Sequence, residues 1–377
     1  MPKAPRSVLL VATRQIGDVL LVTPLLRSLR RAWPGAVIDV LVYTNKGGML
    51  EGNPDCSAVI ETDEHPDWRG YRKLLRRIAG RYDLAVTTQA NDRGHIYAWI
   101  AGRRRVGLIP DLSFAASLKR LSCTAWEVLD NVAVHTVVQN LRLADALGIA
   151  RDYTVVPPRC EDAERRVAAA LPWAVGEPYA ILHPLPMWHY KRWTQSGWAG
   201  LIEALRSRGL KVALTGGPGE EERAYCEALA NGSDVVALAG KLPFGALPEL
   251  IGHARVYVGP DTALTHLAAA CGTPTLAIYG PSNPVKWGPW PAAAAGDASA
   301  WDPSPYVMLA RPWQRRGNVL LLQGPQPAER EACVPCREEG CDRHKRSSSQ
   351  CLETLSPAAV VAALDALLEA VPPLTRA

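Results

Sequence analysis

The sequence predicts an α/β protein of two domains, each a parallel sheet wrapped by helices, and three observations lead there. Short aliphatic runs alternate with longer amphipathic stretches along almost the whole chain, the pattern of successive strand-helix-strand units. A chain of 377 residues exceeds what one ordinary core accommodates, and 48% hydrophobic residues suffice to fill two. Prolines gather at Pro157, Pro158, Pro172 and Pro178, which places the boundary between about 157 and 178. The domains are taken as 1–175 and 176–377.

Composition removes several classes of function. A net charge of +5 is too small to imply a nucleic-acid partner. The nine cysteines form an odd count, and Met1 to Leu10 lacks an apolar core long enough for a signal peptide. Both point to the reducing cytoplasm and away from a disulfide framework. No run of about 18 apolar residues is present to span a bilayer, so the expectation is a soluble or peripheral protein.

The first strand is Val8-Leu-Leu-Val-Ala12, followed by Arg14-Gln-Ile-Gly-Asp18 and a helical pattern from Val19 to Ala32 in which Pro24 is a candidate kink. Asp18 therefore sits in a loop at the carboxyl end of a strand, where open α/β sheets bind ligands. It reads equally as an N-cap favoured by the helix dipole. Val37 to Tyr43 and Tyr82 to Thr88 are further buried strands. Between them lies a basic helix, Trp68 to Arg81, whose arginines and lysine form a solvated face or rest on anionic lipid. Arg93, Arg103 and Arg105 follow a strand end or flank the short Val106-Gly-Leu strand, and are candidates to hold a phosphorylated acceptor. A helix from His135 to Leu147 stops at Gly148.

The second domain opens with Tyr179-Ala-Ile-Leu182 and a strand-end loop that carries Lys191 and Arg192, with Trp188, Trp193 and Trp198 as a binding floor or as core. Lys211 to Thr215 leads into Gly216-Gly-Pro-Gly219 and an acidic helix start, where Glu222 either accepts from ribose hydroxyls or favours the helix terminus. The glycine spacing is not that of a dinucleotide fingerprint, which disfavours a nicotinamide oxidoreductase. The central unit runs from Val256 to Gly280. A strand ends at Gly259-Pro260, Asp261 or Thr262 caps a helix through Ala270, and Thr275 to Tyr279 is the next strand. The amides of Thr262, Ala263 and Leu264 lack partners within the helix and can face a diphosphate, with His266 one turn further on. A well-capped helix with a satisfied histidine accounts for the same pattern. After Gly280-Pro-Ser-Asn-Pro284 the chain, including the alanine run 292–295, reads as a long loop. Cys333, Cys336, Cys341 and Cys351 then stand at C-x2-C-x4-C-x9-C spacing, a metal-site signal in which four thiolates leave no open position for substrate. The expectation is a structural zinc or iron ion that plays no part in the chemistry, beside a final helix from Pro357 to Ala370.

Three motifs together, Arg14-Gln-Ile-Gly-Asp-Val-Leu-Leu-Val-Thr-Pro24, Lys191-Arg-Trp193 and Asp261-Thr-Ala-Leu-Thr-His266 through Gly280-Pro281, resemble the ADP-heptose:lipopolysaccharide heptosyltransferases, glycosyltransferase family 9. The resemblance runs nearly end to end. It implies a GT-B fold, two Rossmann-like domains facing a central cleft. It also implies inverting transfer of heptose from ADP-L-glycero-D-manno-heptose to the lipopolysaccharide inner core without a catalytic metal. By the same resemblance Asp18 is the general base, Lys191 meets the donor phosphates, Glu222 the ribose and Asp261 the heptose, while Thr262 to Leu264 and His266 hold the diphosphate region. Ala263 stands where the family usually has Gly, and His183-Pro-Leu-Pro where it often has His-Pro-Gly-Ala. The cysteine cluster is similar to that of the later-acting heptosyltransferases and of the autotransporter heptosyltransferases, in which a cysteine site holds iron. The implied setting is the cytoplasm, compatible with contact at the inner face of the inner membrane.

Direct displacement at a sugar carbon needs a base for the acceptor hydroxyl and stabilisation of the leaving phosphate, and Asp18 with the helix after Asp261 supplies that pair. Coming from opposite domains, they place the substrate in the expected cleft. Three other readings fit parts of the pattern: a protein (autotransporter) heptosyltransferase, a sugar-nucleotide epimerase on the same plan, and a non-catalytic lipopolysaccharide-assembly partner that kept the fold.

Overall fold

The computed structural model of the chain describes residues 4–114, 116–173, 176–292, 298–328 and 333–369. It divides into two compact units, Met1–Pro158 with Asp297–Pro303 and Arg159–Gly296 with Ser304–Ala377. The division falls inside the proline-rich window. Residues from Arg159 to Trp173, expected in the first domain, join the second instead. The helix they carry packs within unit 2, and the Cys160 amide donates to the Gly245 carbonyl at 3.1 Å.

Unit 1 contains β1 (Ser7–Val11), α1 (Ile16–Leu21), α2 (Thr23–Ala32), β2 (Val37–Tyr43), β3 (Ala58–Thr62) and α3 (Trp68–Ile78). It continues through β4 (Tyr82–Thr87), α4 (Asp92–Ala101), β5 (Gly102–Ile109), α5 (Ser117–Ser122), β6 (Ala125–Val128) and α6 (Thr136–Leu147). The sheet is wholly parallel, in the order β3-β2-β1-β4-β5-β6. Because helices cover both faces, β1 is buried along its length from Val8 to Val11, which is why it reads as an unbroken aliphatic run. The helix expected over Val19 to Ala32 is two helices. The break comes at Val22, and Pro24 lies in the first turn of α2, where a missing amide costs no hydrogen bond. Thr23 stabilises the break from both sides, donating to the Leu20 carbonyl at 2.8 Å and accepting from the Val156 amide at 2.9 Å. α6 ends at Gly148, whose φ of 69° is the left-handed cap a side chain would resist. Leu74 and Ile78 of α3 and Tyr97 and Ala101 of α4 share one core with Leu9, Val11 and Leu41, so these two helices cover the same sheet face. α2 packs with α6 instead.

Unit 2 contains α7 (Ala163–Ala170), β7 (Tyr179–Leu182), α8 (Gln195–Arg206), β8 (Lys211–Leu214), α9 (Glu220–Leu229), β9 (Val235–Ala237) and α10 (Leu247–Gly252). β10 (Val256–Pro260), α11 (Ala263–Ala270), β11 (Thr275–Tyr279) and α12 (Pro284–Trp287) follow. The chain closes with β12 (Gln314–Arg316), β13 (Val319–Gln323), α13 (Gln350–Glu353) and α14 (Pro357–Glu369). The sheet order is β12-β13-β11-β10-β7-β8-β9, parallel apart from the β12 edge. Its core joins Trp198, Leu201 and Leu205 of α8 with Val360, Leu364 and Leu367 of α14. Trp193 and Trp198 belong to that core, edge to face at 5.0 Å, with the Trp193 indole donating to the Leu355 carbonyl at 2.8 Å. The passage after Pro284 is not the single long loop expected of it. It contributes α12, two sheet strands and the buried Trp290; residues 293–295 of the alanine run lie outside the described residues. No helix among the described residues is long and apolar enough to cross a membrane.

Candidate active site

In unit 2 the carboxyl end of β10 delivers the chain to Asp261, and α11 leaves immediately after it. Gly259 is required just before, because a Cβ there would lie 2.5 Å from the Tyr257 hydroxyl and 2.9 Å from the Thr265 hydroxyl. Thr262 is the N-cap residue of α11, but its side chain does not cap; it pairs with Thr265 Oγ1 at 3.2 Å, and Thr265 donates back to the Pro260 carbonyl. Ala263 and Leu264 open the helix, so their amides, with that of Thr262 beside them, stand at the positive end of the helix dipole. Of the two caps the sequence offered, neither closes the helix through its side chain.

Asp261 is only 8% exposed and is the hub of the site. Lys191 Nζ donates to its Oδ2 at 2.6 Å, the Ser282 hydroxyl donates to the same oxygen at 2.6 Å, and the Tyr279 hydroxyl reaches Oδ1 at 3.4 Å. His266 Nε2 lies 3.8 Å from Oδ1. Burial pushes the Asp261 carboxyl upward, but the Lys191 ammonium, His266 and the Ser282 hydroxyl outweigh it and hold it below the usual aspartate range. Burial dominates at His266, against the pull of Asp261 and with the push of Lys191, and lowers it to about 4, so the ring is neutral at physiological pH. Its Nδ1 is buried without a hydrogen-bond partner. Burial likewise lowers His183, at the end of β7, to about 4. The result is a buried carboxylate whose charge is balanced by one lysine, next to a helix N-terminus.

Glu222 lies in the first turn of α9, and its Oε1 accepts from the Gly217 amide at 2.8 Å. It thus holds the glycine turn closed from within. Arg192 turns away from Asp261 and pairs with Glu221 at 2.7 Å, which separates it from Lys191 despite their adjacency in sequence.

In unit 1 Asp18 is the third residue of α1, inside the first helical turn, and not in the loop or at the N-cap, which is Gln15. Arg14 Nε approaches its Oδ1 at 3.5 Å, and its side chain is 16% exposed. The neighbouring strand end presents Thr88 and Gln89, with the Thr88 hydroxyl on the Val11 carbonyl at 3.2 Å and the Gln89 amide on Thr88 Oγ1 at 3.2 Å. Arg93, second in α4, lies at this carboxyl end of the sheet, where its guanidinium donates to the Tyr43 hydroxyl at 3.1 Å and to the Glu64 carbonyl. Arg103 and Arg105 do not join it. They lie within β5 near its amino end, since Arg104 is level with Leu84 and hence with Val8 at the start of β1. Arg105 donates to the Ser122 and Gly102 carbonyls, and Arg103 lines a surface hollow with Arg6, Arg81 and Asp83.

The four cysteines of the tail lie in a segment beside the strand-end turns of unit 2. Burial, and then Cys336, Cys341 and Cys333, push the Cys351 thiol up to about 12, so the four sense one another. The Gln350 amide donates to Cys341 Sγ at 3.4 Å. Among the described residues, however, no group of three or more His, Cys, Asp and Glu side chains already stands in ligating positions. The segment also ties into the neighbouring turns. Ser349 donates to the Tyr190 carbonyl at 2.6 Å, the His189 amide to the Lys345 carbonyl at 3.1 Å, and the Arg337 amide to the Pro281 carbonyl at 2.8 Å. It therefore braces the turn that carries Lys191 and the turn that carries Ser282. Ser282 and Tyr279 were not among the residues singled out from sequence; the available signal was a serine just past a buried strand, at the sheet end where ligands bind.

The profile of glycosyltransferase family 9 (heptosyltransferase) matches residues 71–296. Lipopolysaccharide heptosyltransferase 3 of Escherichia coli is 31% identical over 290 residues, 73% of this chain and 83% of that one. Among solved structures, a glycosyltransferase family 9 protein from Veillonella parvula superposes with a TM-score of 0.72 at 20% identity, covering 97% of each chain. E. coli ADP-heptose lps heptosyltransferase II does so with a TM-score of 0.69 at 19% identity, over 96% of this chain and 98% of that one.

Proposed function

The chain belongs to glycosyltransferase family 9, and from that premise we propose that it transfers heptose from ADP-L-glycero-D-manno-heptose to a lipopolysaccharide inner-core acceptor, with inversion. It is a glycosyltransferase enzyme of the heptosyltransferase kind, built on two Rossmann-like sheets in the GT-B manner. The observation that carries the finer reading is the Asp261 hub, a buried carboxylate and a lysine at the mouth of a helix N-terminus.

In the proposed reaction the acceptor hydroxyl oxygen attacks the anomeric carbon while the bond from that carbon to the diphosphate oxygen breaks, and ADP leaves with the electron pair. The hydroxyl proton passes to the Asp18 carboxylate as general base. Negative charge grows on the diphosphate as the bond breaks. The amides of Thr262, Ala263 and Leu264 and the Lys191 ammonium are the groups placed to meet it. Asp261 holds Lys191 until the donor arrives and then accepts from heptose hydroxyls. Neutral His266 donates from its unpartnered nitrogen to the diphosphate region, without adding charge of its own. Glu222, beside the glycine turn, receives the ribose hydroxyls. Of the three arginines considered for the acceptor, Arg93 is at the same sheet end as Asp18, whereas Arg103 and Arg105 lie at the other end.

The Cys333, Cys336, Cys341 and Cys351 thiolates would hold a structural zinc or iron ion, for which four sulfur donors are a suitable set, with the side chains drawing together around it. Bound there, the ion supplies cross-linking and no chemistry. We place the reaction in the cytoplasm. The test is to incubate the protein with ADP-heptose and a panel of truncated lipopolysaccharides together with an autotransporter passenger protein. A mass increase on one lipopolysaccharide is expected. Modification of the passenger alone would make this a protein heptosyltransferase, and donor binding without transfer to anything would make it a non-catalytic partner.

A further inference from the structure

Two short hydrogen bonds hold the Asp261 carboxylate, and they differ in what becomes of them when a donor binds. Lys191 Nζ and the Ser282 hydroxyl both donate to Oδ2 at 2.6 Å, while the Tyr279 hydroxyl lies 3.4 Å from Oδ1. A phenol has one proton, and that of Tyr279 goes to the nearer acceptor, the Trp287 carbonyl at 2.6 Å. Ser282 is therefore a neutral donor to the charged oxygen, at the length of a charge-assisted bond. Its place is set by the chain around it. Tyr279 ends β11, and Gly280 packs so closely on the tail that a Cβ there would lie 2.7 Å from Leu352. The Pro281 carbonyl accepts from the Arg337 amide at 2.8 Å, and Asn283 caps α12 by accepting from the Val285 amide at 2.9 Å. The serine thus stands between two fixed neighbours, with its hydroxyl aimed at the carboxylate before any ligand arrives.

We infer that Ser282 is a positioning residue for the transfer reaction: its hydroxyl fixes Oδ2, and with it the plane of the Asp261 carboxylate, so that the heptose hydroxyls meet an oriented acceptor. This role rests on the proposed contact of Asp261 with the heptose. Lys191 cannot serve both partners fully, because its ammonium is drawn toward the diphosphate as negative charge arrives there. A carboxylate that is 8% exposed then loses the ammonium beside it, and an uncompensated buried charge is costly. The Ser282 bond remains, since a hydroxyl carries no charge for the diphosphate to attract. It uses one acceptor position of Oδ2 and none of Oδ1, which keeps its capacity for sugar hydroxyls. Ser282 touches no reacting atom in this scheme and acts through Asp261.

Binding of ADP and of ADP-heptose to the full chain is measured separately by calorimetry without acceptor, since only the second ligand brings a sugar to Asp261. Ser282→Ala should weaken ADP-heptose binding roughly tenfold and change ADP binding by less than about twofold. Ser282→Thr keeps the hydroxyl and should bind both ligands as the wild type does. Ser282→Val has the shape of threonine without its hydroxyl and should behave as Ser282→Ala, so this pair decides the matter even if the alanine variant folds poorly. In an Asp261→Asn background Ser282→Ala should cost less than about twofold, since the charge that strengthens the contact is gone. Equal losses for ADP and ADP-heptose, no loss for either, or a threonine variant no better than the valine one would overturn the inference. So would a loss of roughly tenfold in the Asp261→Asn background, because Ser282 would then meet the sugar itself. If Asp261→Asn binds ADP-heptose as well as the wild type does, the proposed heptose contact has failed and the role of Ser282 with it; if Asp261→Asn binds it weakly and Ser282→Ala binds it normally, the role of Ser282 alone has failed.

Discussion

Replacing Lys191 with alanine removes the ammonium that touches Asp261 and tests the central contact of the site. The pair is a 2.6 Å contact between side chains 19% and 8% exposed, so solvent screens it weakly. Removing one partner of such a pair typically costs about 3–5 kcal/mol, because the other charge stays buried and uncompensated. Ser282 still donates to Asp261 Oδ2 in the variant, which places the expected loss at about 3 kcal/mol. The pH dependence distinguishes this mechanism from simple loss of packing. In the wild type the folded Asp261 pKa lies below its unfolded value, so its stabilisation is complete above about pH 4 and fades as the pH falls through the folded pKa. Without Lys191 burial is the largest influence left, the folded pKa rises above the unfolded one, and the penalty is paid only while the carboxyl is charged. The deficit of Lys191→Ala should therefore be greatest near neutral pH and shrink on acidification toward pH 5. Urea unfolding of both proteins across that range measures it, with Asp261→Asn and the double variant closing a cycle. A deficit below about 1 kcal/mol, or one that does not change with pH, would refute the argument that a buried ion pair holds this loop. The same variant should bind ADP-heptose more weakly and turn over more slowly.

Asp18→Asn should keep donor affinity while transfer falls about 10²- to 10⁴-fold, since the amide preserves the shape but takes no proton; near-normal turnover would make Asp18 a helix-terminus residue only. Glu222→Gln keeps an acceptor for the Gly217 amide and so should leave thermal stability within about 0.5 kcal/mol while weakening ADP binding, whereas equal ADP affinity would confine Glu222 to bracing the turn. Purified protein should carry about one equivalent of zinc or iron by elemental analysis, lost in Cys336→Ser/Cys341→Ser. That variant should unfold earlier on heating. Because the segment braces the Lys191 and Ser282 turns, it should also bind ADP less tightly, and unchanged stability with unchanged affinity would argue against a metal that matters to either.

Local chemistry made much of this protein legible from its sequence. Buried parallel strands announce themselves as short runs rich in aliphatic and aromatic residues, so β1, β2, β4, β10 and β11 are readable within a residue or so. Asp261 at a strand end before a helix is equally local, as is the glycine that ends α6. What the tertiary structure decided involves groups distant in sequence. Lys191 and Asp261 stand 70 positions apart with no local signal for their contact; it exists because β7 pairs directly with β10, so their carboxyl-end loops emerge side by side. Ser282 and Tyr279 reach the same carboxylate because β11 pairs with β10 on the other side. Arg103 and Arg105 show the converse. Residue type and proximity to a strand suggested a ligand site, but only the register of β5 against β4 decides which end of the sheet they occupy. The tail's contacts with the Lys191 turn span 159 residues between Ser349 and Tyr190. Periodicity and caps are written in neighbouring residues, whereas strand order and register are fixed only when the whole sheet assembles, and the site is made of strand ends.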